Sequence, residues 1–207
     1  MTLEKIKLYH NDLPDDLIIK GDLAIDTEAM GLKYKRDRLC LIQIADELGN
    51  IYLIQIAKGV THAPNLAKLL SNPDSQKIFH FARFDVAVIY QYLNIMMSNI
   101  FCTKISSKLV RTYTDSHGLK DLCREFLSVQ VSKQQQSSDW GSDELSKEQK
   151  LYAASDVIHL HKLRDKLTSL LVRENRLELA QNCFNFIESR VLLDLAGWDE
   201  VDIFAHH

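Results

Sequence analysis

Several ingredients are scarce in this chain, and each scarcity closes off a class of function. Only 7 glycines occur in 207 residues, and they build no glycine-rich phosphate loop, which argues against a nucleotide-binding switch protein. The four cysteines, Cys40, Cys102, Cys123 and Cys183, lie far apart and form no Cys-x-x-Cys pair. Neither a zinc site nor a disulfide framework is therefore expected, and this usage fits a reducing cytoplasm. No run of 18 apolar residues is found, so no membrane span is expected. The opening stretch, MTLEKIKLYHNDLPDD, is charged throughout and lacks the apolar segment of a secretory signal. Positive charge is not in excess either, with 25 basic against 28 acidic residues and a net charge of −3. That argues against a protein that coats nucleic acid by charge alone. It leaves room for a nucleic-acid enzyme, because a cluster of metal-binding acids lowers the total without removing a local positive field.

With 46% hydrophobic and 26% charged residues, the chain reads as an ordinary globular protein whose length suits one domain. Leu8–Ile18 reads as an entry segment interrupted by Pro14, and Asp22–Glu28 as a strand. A basic loop, GLKYKRDR, spans Gly31–Arg38. The apolar, β-branched runs Leu39–Ala45 and Ile51–Ile56 are joined by DELGN, whose Gly49-Asn50 is a tight-turn signal, so a hairpin is expected. Helix and strand then alternate: a helix over Ala63–Leu70 stopped by Asn72-Pro73, a strand over Lys77–Phe81, a helix over Phe84–Leu93, a strand over Ile100–Thr103, then helices over Thr103–Thr112 and Leu119–Leu127. The polar, Gln- and Ser-rich stretch Val129–Asp143 is long for a connection inside one domain, and such loops often carry function. Ser146 and Gln149 form a capping box that opens a long helix to about Val172. A further helix over Glu174–Arg190 and a closing segment over Leu195–Phe204 follow. This is an α/β fold with a mixed sheet of about five strands flanked by helices.

The chemistry begins in DLAIDTEAM, Asp22–Met30. Strand alternation puts Asp26 and Glu28 on one face, roughly 7 Å apart. Two carboxylates at that separation repel by about 2 kcal/mol at an effective dielectric near 20, and acids are poor strand formers. A hard divalent cation between them removes the repulsion; a solvated strand end is the plainer alternative. Asp85 lies at a strand-to-helix junction in KIFHFARFD, where a carboxylate also serves as a helix cap. Tyr152 and Asp156, four apart in LYAASD, share a helix face.

A strand-borne Asp-x-Glu, a junction Asp and a helical Tyr-x-x-x-Asp, in that order, resemble the DEDD family of 3′–5′ exonucleases in its tyrosine subclass. The local text is similar to ribonuclease D in AIDTEAMGLKYKRDRLCLIQIAD, KIFHFARFDVAVIY and SDWGSDELSKEQKLYAASDVIHLHKL, across about residues 20–170. The resemblance implies a ribonuclease H-like fold, an exonuclease domain over residues 1–172, and a C-terminal helical tail over 173–207 packed on it. The longer ribonuclease D carries C-terminal helical domains instead. One departure is Cys102-Thr103, where the family has Asp-Thr.

The resemblance further implies a cytoplasmic 3′–5′ exoribonuclease that releases nucleoside 5′-monophosphates from RNA 3′ ends, in tRNA or other structured RNA processing. A DNA exonuclease with the same site and a non-catalytic RNA-binding scaffold are the alternatives. Carboxylates without a cysteine or histidine cluster select Mg²⁺ or Mn²⁺, and two such ions clamp a phosphodiester displacement. By resemblance Asp26 bridges both ions, Glu28 and Asp156 complete the first, and Asp85 holds the second. A phenol with pKa near ~10 is a poor base at neutral pH, so Tyr152 is expected to aim the attacking water. For substrate, Lys33, Lys35, Arg36 and Arg38 either line a phosphate path or form a solvated basic loop. Met30 and Tyr34 are candidates to pack on a terminal base. Arg83 either contacts the scissile region or balances charge. Lys133, Ser138, Asp139 and Trp140 match the ribonuclease D pattern, with Trp140 either packing the loop down or stacking on a base. His80 and His117 are read as structural.

Overall fold

The runs of β-branched and leucine side chains assemble into one mixed sheet in the computed structural model, which describes residues 5–132 and 134–206. Six strands occur: β1 (Ile6–His10), β2 (Leu23–Ala29), β3 (Leu39–Ala45), β4 (Ile51–Gln55), β5 (Lys77–Phe79) and β6 (Ile100–Cys102), in the order β1-β4-β3-β2-β5-β6. The β2–β3 and β3–β4 pairs are antiparallel, and β1–β4, β2–β5 and β5–β6 are parallel. β3 and β4 are buried along their whole length, as central strands with both faces covered must be.

The hairpin forms where Gly49-Asn50 calls for it. Gly49 has φ +77°, and the Asp46 carboxylate accepts from the Leu48 and Asn50 amides at 3.0 and 2.8 Å and from Tyr52 Oη at 3.1 Å. The sixth strand is the one the sequence hides. β1 lies at the sheet edge with only partial burial, so its five residues, IKLYH, lack the apolar run that marks the inner strands, and its last three fall in the stretch Leu8–Ile18 that reads as an entry segment.

Among the described residues eight α-helices surround the sheet: α1 (Pro64–Leu70), α2 (Ala82–Leu93), α3 (Thr103–Val110), α4 (Leu119–Leu127), α5 (Lys147–Val157), α6 (Leu160–Arg173), α7 (Leu177–Asn185) and α8 (Ile187–Leu193). A π-helical turn over Asp194–Trp198 follows. Two expected helices are divided. The one expected from Ser146 to about Val172 breaks at Ile158–His159 into α5 and α6, because α5 packs on β2, β3 and β4 whereas α6 turns to β5, α3 and α4. The one expected over Glu174–Arg190 starts later and breaks at Phe186 into α7 and α8, with α7 on β6 and α3, and α8 on α2. A change of packing partner leaves no mark on apolar periodicity. No described helix is long and apolar enough to cross a membrane.

The capping box forms: Ser146 Oγ accepts from the Gln149 amide at 3.1 Å, and Gln149 Oε1 from the Ser146 amide at 2.8 Å. Gln149 Nε2 also donates to Ser138 Oγ and the Asp139 carbonyl. The start of α5 is thereby tied to the Gln-rich loop, and it sets the rotation at which α5 presents Tyr152 and Asp156.

Candidate active site

The β2 strand runs out of the buried core at its C-terminal end. Leu23, Ala24 and Ile25 are sealed, and Asp26 and Glu28 are partly open to a cleft of about 890 Å³. Helix α5 lies across this end of the sheet and brings Tyr152 and Asp156 into the same cleft. Carboxylate oxygens of Asp26, Glu28 and Asp156 come within 4.8 Å of one another. Asp85 enters from the first turn of α2, 3% exposed, and accepts a hydrogen bond at 2.7 Å from Thr27 Oγ1, between the two acids of β2. The N-cap of α2 is Phe81 and makes no side-chain cap. Asp85 is thus tied to β2 across the gap and is not a helix cap.

The cluster is electrostatically expensive. Burial, opposed by the Thr27 amide, pushes the Asp26 carboxyl up to about 7. Burial and then the charges of Asp26, Asp156 and Asp85 push Glu28 to about 10. Burial and Asp26 push Asp156 to about 8, against a hydrogen bond from Tyr152. Burial and Asp26 also raise Asp85 well above the carboxylate range. Acids forced together out of water hold protons or take up a cation. An all-oxygen donor set of this kind fits a hard divalent ion. The Tyr152 phenol is pushed up by burial and then by Asp156, Glu28 and Asp26, so it stays protonated and offers a donor.

The other sequence candidates are scattered. Met30 and Trp140 line the cleft, whereas Tyr34, Lys35, Arg36 and Arg83 do not. Trp140 is 2% exposed, its ring centroid 6.0 Å from that of Tyr152, so it packs the loop against α5. Tyr34 packs on Phe84 with centroids 5.6 Å apart. Arg36 is held by Asp37 at 2.6 and 2.8 Å. Arg38 donates to the carbonyls of Ile56 at 2.9 Å and Gly141 at 3.1 Å, fastening the Gln-rich loop to the sheet. Arg83 is occupied by the tail: it donates to Asp194 at 2.5 and 2.8 Å and to the Asp199 carbonyl at 2.6 Å. Lys133 lies outside the described residues. His117 bonds Ser107 through Nδ1 at 2.8 Å, a structural contact. His80 makes such a contact too, Nδ1 lying 2.9 Å from Thr103 Oγ1, and it also lines the cleft.

Sequence reasoning passed over Leu32, Phe84, Lys120 and Arg124, which also line the cleft. Lys120 and Arg124, four apart on α4, carry a readable signal in their helical spacing. Gln43 was passed over too. It pairs in register with Asp26 and is fully buried, with neither amide atom bonded; a lone glutamine inside LCLIQIA is its signal.

Residues 5–172 match the family described as 3′–5′ exonuclease. Ribonuclease D of Gluconacetobacter diazotrophicus is 31% identical over 156 residues, 75% of this chain and 39% of that protein. The chain spans less than half the length of the ribonuclease D relatives it matches. Brucella melitensis NrnC bound to pGG is 50% identical with a TM-score of 0.93, covering 98% of both chains. The same protein with bound Mg²⁺ is 50% identical with a TM-score of 0.92, covering 98% of this chain and 99% of that one.

Proposed function

The chain belongs to the 3′–5′ exonuclease family, and from that premise we propose that it is a divalent-metal-dependent exoribonuclease that removes nucleoside 5′-monophosphates from RNA 3′ ends. The observation that carries this reading is the convergence of Asp26, Glu28 and Asp156, within 4.8 Å, in one cleft with Tyr152, with Asp85 buried behind them on Thr27. In it, Asp26, Glu28, Asp85 and Asp156 would hold two cations, Mg²⁺ or Mn²⁺. Bound there, the cations supply Lewis-acid activation of water and charge neutralisation at the leaving oxygen. The chain's own groups do the rest. Asp26, central among the acids by its effect on Glu28, Asp85 and Asp156, would contribute to holding the cations. Thr27 fixes the orientation of Asp85 through its 2.7 Å hydrogen bond. The protonated Tyr152, which donates to Asp156 in the metal-free site, would turn that one proton to the attacking water once Asp156 is engaged by a cation, orienting the water and taking no proton itself. Gln149, Arg38 and Gln55 hold the Gln-rich loop over α5 and the sheet, so the cleft keeps its wall while substrate enters.

Two substrate classes follow from the relatives. Ribonuclease D points to tRNA and other structured precursors, and NrnC with its pGG points to short oligonucleotides. We favour the short ones, because a relative that matches nearly end to end is bound to pGG. The described cysteines are all free, which fits the cytoplasm as the proposed compartment. Residues 173–207 are taken as part of the catalytic unit, because Arg83, two residues from Asp85, is anchored to Asp194.

The test is a 5′-labelled RNA, short and long, with Mg²⁺, Mn²⁺ or EDTA, beside a matched DNA. A ladder shortening from the 3′ end, abolished by EDTA and by Asp26→Ala, supports the proposal. RNA intact under all metal conditions overturns it, and binding to that RNA would then leave the scaffold reading. Equal rates on RNA and DNA would make it a general 3′–5′ exonuclease.

A further inference from the structure

His80 stands one residue beyond β5, beside the acids of β2. The β2–β5 pairing sets Ile78 opposite Ala24, so the next residue on the same face of β5 falls level with Asp26. Its ring lines the cleft that holds Asp26, Glu28 and Tyr152. On its far side, Nδ1 lies 2.9 Å from Thr103 Oγ1, and that hydroxyl donates to the Phe79 carbonyl at 3.1 Å. A threonine hydroxyl has one proton to give. Both contacts are hydrogen bonds together only when that proton goes to Phe79 and the Thr103 oxygen accepts from His80 Nδ1–H, the tautomer that leaves a lone pair at Nε2. Burial, helped by Lys104, holds the ring's pKa down at about 3, so it stays a neutral acceptor wherever the enzyme is folded and active. Nε2 has no protein hydrogen-bond partner among the described residues.

An acceptor in a nucleic-acid cleft is selective, because phosphate oxygens are acceptors too and cannot bond to it. The sugar–phosphate backbone offers hydroxyl donors only: a 2′-hydroxyl on each ribose and the terminal 3′-hydroxyl. DNA lacks the first. Resting on the exoribonuclease reading above, we infer that His80 is a specificity-determining residue that accepts a hydrogen bond at Nε2 from the ribose 2′-hydroxyl of a nucleotide in the cleft. Thr103 is its positioning residue, because it selects the tautomer. A site in which a bound deoxynucleotide cuts this acceptor off from water and leaves it unpaired discriminates against DNA.

The test uses short oligouridylates, all-ribo or with one 2′-deoxy sugar at the last or next-to-last position, which isolates the sugar from base amines. For wild type, kcat/KM is expected to fall about tenfold for one of the two deoxy positions, the scale of one hydrogen bond. His80→Phe, which keeps the ring's bulk without the acceptor, should slow on the ribo substrate and lose that discrimination. His80→Gln retains an acceptor and should keep part of it, and Thr103→Val should weaken it by freeing the tautomer. The ratio of Kd values for ribo and deoxy oligomers, measured in an Asp26→Ala background, should follow the same pattern without turnover. The inference is overturned if His80→Phe keeps the wild-type ribo-to-deoxy ratio, or if wild type shows no such ratio at either position. A wild type that degrades neither polymer sinks the exoribonuclease reading, and the binding ratio still decides for or against His80.

Discussion

Thr27 Oγ1 donates to Asp85 Oδ1 at 2.7 Å, and this bond joins the strand that carries two of the acids to the helix that carries a third. Thr27 points to the face opposite Asp26 and Glu28, so the hydroxyl reaches Asp85 from behind. Thr27→Val keeps the shape and the β-propensity and removes the donor. Activity and divalent-cation affinity should fall by about 10- to 100-fold, the usual cost of losing a group that orients a ligand. Calorimetric titration of Mg²⁺ or Mn²⁺ checks this; unchanged affinity would show that Asp85 holds its place without help.

The raised carboxyls predict how stability depends on pH. Asp26, Asp156 and Glu28 titrate at about 7, 8 and 10 in the folded chain, against values near ~4 when unfolded. Between those limits the folded state holds protons that the unfolded state has released. Stability in EDTA is then highest below about pH 4 to 5, as far as these groups govern it, and is lost as pH rises through 7 to 10. A melting temperature lower at pH 9 than at pH 6 in EDTA, with the gap closed by excess Mg²⁺ or Mn²⁺, is the expected result. A metal-free melting temperature flat across that range would count against the cluster.

Removing one acid should separate activity from stability. Asp26→Asn relieves the repulsion between Asp26 and Asp156, both ionised at pH 9, and should raise metal-free stability there by roughly 2 kcal/mol at the effective dielectric used above. The same change should abolish turnover. Denaturant melts in EDTA, paired with the labelled-RNA assay, read both. A variant less stable than wild type in EDTA would mean that Asp26 is a structural residue.

Tyr152→Phe tests the aiming role. With its phenol pushed up and protonated, the loss should be partial, ~10- to ~100-fold in kcat, and should show no new pH dependence between 7 and 9. A variant with full activity refutes that role.

Arg83 should prove to be a fastener. It bonds the buried Asp194, which Arg190 also contacts at 2.5 and 2.8 Å. Arg83→Ala should cost on the order of 2 kcal/mol in stability, below the full cost of orphaning a buried carboxylate because Arg190 remains. KM for RNA should hardly change. A raised KM at unchanged melting temperature would give Arg83 a place on the substrate.

What could be read from the chain alone was what local physics writes locally. Alternation along Asp22–Met30 placed Asp26 and Glu28 on one face, Gly49-Asn50 demanded the hairpin, and Ser146 with Gln149 marked the start of α5. The five residues Asp26, Glu28, Asp85, Tyr152 and Asp156 were picked out by residue type, spacing and family resemblance, and the fold brings all of them together. The positive side chains were less legible. Arg36, Arg38 and Arg83 look alike in sequence, because an arginine's partner is set by a carboxylate or carbonyl far along the chain: Gly141 lies 103 residues from Arg38, and Asp194 lies 111 from Arg83. Which arginine was spare was therefore a tertiary matter, and so were the break between α5 and α6 and the pairing of β1 at the sheet edge. His80 shows the same division. Its chemistry was present in the sequence, but only the packing of Thr103 beneath it decides which nitrogen keeps the proton and which one faces the cleft.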